Sequence, residues 1–395
     1  MIKLLYVHYG DNWLRGSEIC LLNLLKSLDT RRFKAILWTN NRMLHQKAQE
    51  LGITSELDAF GILMGWREQR ITLAQFFSQI ARAKTLIRQY RIQLVHVNSG
   101  APCQWMWIAA RICRVPMLTQ LHSDYTLRDR LRLCLHLSPH VITVSKAISI
   151  RLSQEGYPLQ NLSVVHNGID IETLTEQPIQ CVRQSLGINK SSTVIASVGS
   201  LIHRKGIDRL IQAVASLNRP DLHLLIIGEG PEKPALKQLA AELKIAEQIH
   251  FVGEQSEVFG WLRGGVDLFV SGARDEAFGL VLAEAAAAGL PVIAPNVGGI
   301  PEVLQHQESA LLYDPESPEQ LPQYIADLLS DAKLATKLRQ AALERANARF
   351  SLPANTAALT SLYSQLIARF PHRQAPSMFS CLKPLKALSF SHLHR

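Results

Sequence analysis

The sequence predicts an α/β fold built from two doubly wound parallel sheets in tandem. Short apolar runs rich in β-branched residues alternate with amphipathic stretches of helical spacing along most of the chain. The same plan is run through twice, once on each side of a turn-rich segment near residues 182–192. With 395 residues, the chain is too long for one ordinary core and long enough for two.

In the first half the strands are read as IKLLYVH (2–8), KAILWT (34–39), QLVHVN (93–98), PMLTQLH (116–122), HVITV (140–144) and LSVVH (162–166). Between them, 17–28 and 71–90 carry apolar residues three and four apart, as a helix with one buried face requires. Strand–helix alternation with short connections makes a parallel sheet covered on both faces. The second half offers 193–199, 222–228, 249–253, 267–272, 291–295 and 310–314 as strands, with helices at 206–217 and 232–244. The expected domains are therefore 1–180 and 181–350. A helix over 351–370 crosses back to the first domain, broken early by Pro353, and a basic, weakly ordered tail spans 371–395. In such sheets ligands sit at the carboxyl ends of the strands, so a cleft between two facing domains is the expected site.

Composition narrows the function classes. A hydrophobic content of 47% describes a globular protein, and no apolar run reaches the roughly 18 residues of a spanning helix. The start, MIKLLYVHYGDNW, lacks a signal-peptide pattern, so a cytoplasmic location is expected. Cys20, Cys103, Cys113, Cys134, Cys181 and Cys381 are scattered without a Cys-x-x-Cys pair, as reduced structural thiols are. The net charge of +9 is uneven: residues 1–180 hold 21 Lys/Arg against 13 Asp/Glu, and residues 181–368 hold 16 against 20. A basic first half suits an acidic partner such as a phosphorylated acceptor or an anionic membrane surface; ordinary solvation is the plain alternative. Nucleic acid is not expected, because no recognition module accompanies the charge.

The chemistry is concentrated in DEAFGLVLAEAAAAGLPVIA (275–294). DLFVSG reads as a strand and GLVLAEAAAAG as a helix ending at Gly289, so the turn Glu276–Gly279 joins a strand's carboxyl end to a helix N-terminus. Free N–H groups and the positive end of the helix dipole make that turn an anion site. Taken along a helix, the eight positions from Glu276 to Glu284 span roughly 12 Å, the length of a sugar diphosphate with its ribose. One carboxylate would then accept from sugar hydroxyls and the other from ribose hydroxyls.

This segment resembles the Glu-x7-Glu signature of the retaining family 4 glycosyltransferases, which have the GT-B fold of two Rossmann-like domains. Five further stretches resemble the same family in the same order: VVHNGID (164–170), SVGSLIHRKGIDRLIQAVASL (197–217), LLIIGEGPEKPALKQLA (224–240), GLPVIAPNVGGIPEVL (289–304) and ESALLYDPESPEQL (308–321). The resemblance covers roughly residues 1–370 and is stronger in the second half. It implies that Glu276 holds the donor sugar's hydroxyls and Glu284 the ribose. Phe278, Gly279 and Leu280 would present backbone amides to sugar and phosphate. Lys205 would neutralise the diphosphate, where a fixed cation counts most as the leaving group gains charge.

Two positions depart from the family pattern. Ser200 stands where an arginine is usual, and Arg204 beside Lys205 is the available substitute. The N-terminal Gly-Gly loop is reduced to Gly16 and Ser17 at the start of a helix. His122, at the end of its strand, resembles the histidine that lines the donor sugar pocket. His122, Glu276 and Lys205 are thus the expected catalytic residues.

The resemblance implies transfer from a nucleoside-diphosphate sugar to an acceptor hydroxyl with retention of configuration, the diphosphate taking the acceptor's proton. The sugar nucleotide is a co-substrate, and neither cofactor nor metal is expected. The acceptor, a sugar or lipid-linked glycan, would bind the first domain, with 101–116 and 128–137 offered as membrane-touching stretches. A nucleotide-sugar epimerase of the same plan and a non-catalytic partner subunit are the competing readings.

Overall fold

The computed structural model describes residues 1–63 and 71–370. The chain divides into two compact units, Met1–Gly168 with the segment from Leu352 onward, and Ile169–Ser351. The contact division thus places 169–180 with the second unit, where the sequence put them with the first. The tail expected over 371–395 lies outside the described residues.

Among the described residues the first unit holds seven parallel strands: β1 (Ile2–His8), β2 (Phe33–Thr39), β3 (Thr54–Leu57), β4 (Leu94–Val97), β5 (Met117–Leu121), β6 (Val141–Thr143) and β7 (Leu162–Val164). Their order is β3-β2-β1-β4-β5-β6-β7. The chain works outward from β1 to β3, then returns to lay β4 against the other side of β1. That reversal leaves a crevice at the carboxyl ends of β1 and β4, the place where such sheets bind ligands. Leu4 and Tyr6 pack under Leu21, Leu24 and Leu25 of helix Gly16–Ser27.

Helix Leu352–Arg369 belongs to this unit and is unbroken. Pro353 sits in its first turn, where a missing N–H removes no intrahelical bond, so the expected break does not occur. The helix inserts Leu359, Tyr363 and Leu366 into the core. The Tyr363 hydroxyl is hydrogen-bonded to His96 Nδ1 at 2.7 Å and receives that of Tyr6 at 3.3 Å. Ser27 Oγ and Thr356 Oγ1 meet at 2.6 Å.

The second unit holds six parallel strands: β8 (Thr193–Val198), β9 (Leu222–Ile227), β10 (Ile249–Gly253), β11 (Leu268–Val270), β12 (Val292–Pro295) and β13 (Leu311–Tyr313). Their order, β10-β9-β8-β11-β12-β13, repeats the reversal and puts a second crevice between β8 and β11. Helix Ile207–Ser216 carries Leu210, Ile211 and Val214 into the core against Leu224 and Ile226 of β9. Both sheets are fully parallel and wound on both faces, which is the GT-B type of α/β fold.

Candidate active site

In the second unit, β8 runs through Gly199 and Ser200 into a single turn, His203–Lys205, closed by Gly206 at φ 61°. A Cβ on Gly206 would lie 1.9 Å from the Gly272 carbonyl oxygen, and one on Gly272 would lie 2.1 Å from that of Gly206. Only two glycines allow this approach, which brings the lysine-bearing turn onto the chain leaving β11. Lys205 Nζ consequently donates to Glu276 Oε2 at 2.5 Å. Arg204 Nη1 lies 3.8 Å from the same oxygen and donates to the Asp275 carbonyl at 2.9 Å.

Arg274, which the sequence reading passed over, ties the turn down. Its guanidinium grips Asp208 at 2.8 and 2.5 Å and the His203 carbonyl at 2.8 Å. Its N–H donates to the Arg204 carbonyl at 2.8 Å. Burial would push the Asp208 carboxyl up, but Arg274 outweighs it and holds Asp208 below the usual carboxylate range.

The turn after Glu276 is fixed from the other side. Gly299 N–H donates to the Glu276 carbonyl at 2.8 Å, and a Cβ on Gly298 would lie 2.0 Å from that oxygen. Phe278 is buried against Phe350, ring centroids 5.5 Å apart at 74°, so its side chain anchors the turn. Gly279, at φ 96°, caps helix Leu280–Ala287, of which Leu280 is the first residue. The expected helical span from Glu276 to Glu284 is corrected here: only Leu280 to Glu284 is helix, a rise of about 6 Å, and the rest is turn.

Glu284 is half-buried, and among the described residues no hydrogen bond or ion pair reaches its carboxylate. Burial alone pushes its pKa up to about 7. A carboxylate so placed gains from any hydroxyl pair that comes to it. Ser200 offers no charge, which leaves Lys205 and Arg204 as the cations beside Glu276.

In the first unit, Gly16 opens helix Gly16–Ser27 and is exposed, while the Ser17 hydroxyl donates to Glu18 Oε2 at 3.1 Å. His122 follows β5 directly, and its Nε2 lies 3.2 Å from Asn98 Oδ1. Burial, reinforced by His8, brings the His122 pKa down to about 4. Behind it stand three buried groups absent from the sequence reading: Asn98, His8 and Glu18. Nothing in their neighbouring residues marks them; His8 is 10 positions from Glu18 and 90 from Asn98.

Two residues offered to a membrane surface are in the core instead. Trp105 is fully buried, and Arg130 is buried in an ion pair with Glu155. No helix among the described residues is long and apolar enough to cross a membrane, and no group of three His, Cys, Asp or Glu among them is arranged to hold a metal.

Comparison with known proteins bears on the family and the fold. The family model "Glycosyltransferase Family 4" matches residues 14–173, and "Glycosyl transferases group 1" matches residues 179–345. The D-inositol 3-phosphate glycosyltransferase of Corynebacterium glutamicum is 30% identical over 308 residues, 70% of this chain and 72% of that protein. The lipopolysaccharide core biosynthesis glycosyltransferase LpsD of Rhizobium meliloti is 26% identical over 370 residues, 93% of this chain and 100% of its own. Among solved structures, Anabaena Alr3699/HepE in complex with UDP and glucose superposes with a TM-score of 0.78 at 22% identity, over 92% of this chain and 100% of that one. The chain belongs to the family 4-like glycosyltransferases of GT-B fold.

Proposed function

We propose that the protein moves a sugar from a nucleoside-diphosphate sugar to an acceptor hydroxyl with retention at the anomeric carbon. The observation that carries this reading is the cluster of charged groups at the carboxyl ends of β8 and β11. Lys205 and Arg204 converge on Glu276 beside a glycine-capped helix N-terminus, with Glu284, unpartnered among the described residues, one turn further on. Cations and a helix N-terminus suit a diphosphate, and carboxylates suit the hydroxyls flanking it.

In this mechanism the bond from the anomeric carbon to the diphosphate oxygen breaks first. Lys205 and the amides of Phe278, Gly279 and Leu280 stabilise the charge that collects on the leaving oxygen. The acceptor oxygen bonds to the same face, and its proton passes to the departing diphosphate. Glu276 orients the sugar and Glu284 the ribose, and His122 takes the sugar-contacting role that the family resemblance implies for it. The residues are asked for position and charge rather than covalent attack. No metal or cofactor enters the scheme.

The acceptor is a cell-envelope sugar or lipid-linked glycan, a reading supported by the similarity to LpsD. The protein works in the cytoplasm and docks on anionic lipid through the basic first unit. That unit exposes Leu73 and Phe77 on helix Leu73–Gln89, at 63% and 64%. Co-sedimentation with anionic vesicles beyond neutral ones tests the docking, and equal recovery rejects it.

A thermal-shift series with UDP, GDP, ADP and their sugars tests the donor site, since a ligand of the folded state raises Tm. A shift with one nucleotide, lost in Glu284→Ala, supports the reading and identifies the base. No shift in folded protein rejects it. The anomeric coupling constant of the product, read by proton NMR, decides retention.

A further inference from the structure

We infer that Glu18, His8 and Asn98 form a buried hydrogen-bonded line that sets the tautomer of His122, leaving Nδ1 as the ring's acceptor for a donor-sugar hydroxyl. The inference rests on the proposed place of His122 beside the sugar, and it adds three positioning residues to that site.

The proton positions follow one from another. Asn98 Nδ2 lies 3.4 Å from the Ser17 carbonyl oxygen and 3.2 Å from His8 Nδ1. A backbone carbonyl only accepts, so the amide nitrogen must face this side. His8 Nδ1 then receives a hydrogen bond and carries no proton. The His8 proton sits on Nε2, which donates to Glu18 Oε1 at 2.9 Å. With its nitrogen so directed, Asn98 turns Oδ1 towards His122 Nε2, 3.2 Å away. A carboxamide oxygen also only accepts, so His122 holds its proton on Nε2. A neutral imidazole has one remaining acceptor, Nδ1.

Glu18 anchors the line because it cannot change partners freely. Its second oxygen, Oε2, accepts the Arg15 N–H at 3.2 Å and the Ser17 hydroxyl at 3.1 Å, capping helix Gly16–Ser27. Burial would push the carboxyl up, but His8 and the helix-end N–H groups outweigh it and hold Glu18 below its ordinary range. Glu18, His8 and Asn98 are each 4% exposed or less, so water does not compete for these bonds. Gly10 leaves room for the line: a Cβ there would lie 2.8 Å from His8 Nε2 and 3.0 Å from Glu18 Oε1.

Glu18→Gln tests the inference with almost no change of shape. The glutamine oxygen must stay on the Arg15 N–H, which turns the amide nitrogen to His8. His8 then moves its proton to Nδ1, Asn98 must rotate, and His122 is offered a donor where it had an acceptor. Two-bond ¹⁵N–¹H spectra of the histidine rings read the outcome without any substrate. His122 protonated on Nε2 in the wild type, shifting to Nδ1 in Glu18→Gln, supports the line; an unchanged His122 tautomer overturns it. Should Glu18→Gln fail to fold, Asn98→Ala serves instead. A mixture of His122 tautomers is then expected, and retention of a pure Nε2–H form overturns the inference. With the sugar donor, kcat of the variant that folds is expected to fall between about tenfold and a hundredfold, as for a misplaced group beside a reacting centre. KM for the nucleotide and binding of the nucleoside diphosphate stay at wild-type values, and a loss in KM alone overturns the assigned role. A wild type that binds no nucleotide yet shows the Nε2–H tautomer rejects the donor reading while leaving the line intact.

Discussion

Lys205 Nζ rests 2.5 Å from Glu276 Oε2, so a cation and a carboxylate of the candidate site neutralise each other. Both are mostly shielded, with 18% and 15% of their side chains exposed. On the proposed reading a diphosphate must take Lys205 from Glu276, and the released carboxylate turns to the sugar. The pair is then an exchange partner, set aside when the ligand enters.

Glu276→Gln separates the two roles. Relieved of its carboxylate, Lys205 is expected to hold a nucleoside diphosphate about fivefold more tightly, near the 1 kcal/mol of a partly exposed ion pair. Turnover with the sugar nucleotide falls by roughly a hundredfold or more, since the sugar loses a charged acceptor. Titration calorimetry and steady-state rates check the two halves; weaker diphosphate binding would contradict the exchange.

Glu284 predicts a pH dependence. Its folded pKa, raised to about 7, exceeds the ordinary 4.5 because burial disfavours the charged form. A raised pKa gives stability that is complete below the unfolded value and is lost as pH rises through the folded one. The wild type therefore loses stability between about pH 4.5 and 7. Glu284→Gln removes that loss, raising Tm at pH 8 by roughly 2–4 °C for each kcal/mol relieved. Scanning calorimetry at pH 5 and pH 8 measures the difference, and an equal Tm change at both would disprove it.

Gly206→Ala strikes the turn that carries Lys205. The residue sits at φ 61° and its Cβ would meet the Gly272 carbonyl at 1.9 Å. Strain and overpacking together are expected to cost about 2–4 kcal/mol. Urea unfolding of the variant should show this as a lower midpoint with little change in slope.

The first unit should be sensitive to acid. Burial lowers the pKa of His96 to about 3, and burial with His8 lowers that of His122 to about 4, both from the ordinary 6.5. A depressed pKa gives stability that is present above the unfolded value and is lost as pH falls through the folded one. Stability should decline from about pH 6.5 towards 3. His96→Phe should flatten this slope while costing about 1 kcal/mol at neutral pH, because Tyr363 loses a hydrogen-bond partner. Urea midpoints across pH 3–8 compare the two chains.

The sheet-and-helix plan was legible in the sequence because buried parallel strands are runs of apolar, β-branched residues; β1 and β10 were placed to the residue. β3 was not seen: Thr54–Leu57 is an edge strand, half-buried and mixed in polarity, with no period to read. Pro353 misled because its effect depends on where the helix begins. The Lys205–Glu276 environment was half legible. Glycines and a strand-to-helix turn mark the neighbourhood locally, but the contact itself joins residues 71 positions apart. Arg274 and Asp208 escaped for the same reason, being 66 apart. The line behind His122 left no local trace at all, since its members meet only once the sheet is wound.

The return of helix Leu352–Arg369 to the first sheet makes that unit discontinuous, with Ile169–Ser351 inserted whole inside it. During translation the second unit can fold as an uninterrupted piece while the first waits for Tyr363. At typical synthesis rates that wait lasts on the order of ten to forty seconds. Throughout it, Tyr6, His96 and the apolar face around them lack their covering helix, and a chaperone has a sheet to guard until the ribosome delivers the last turn.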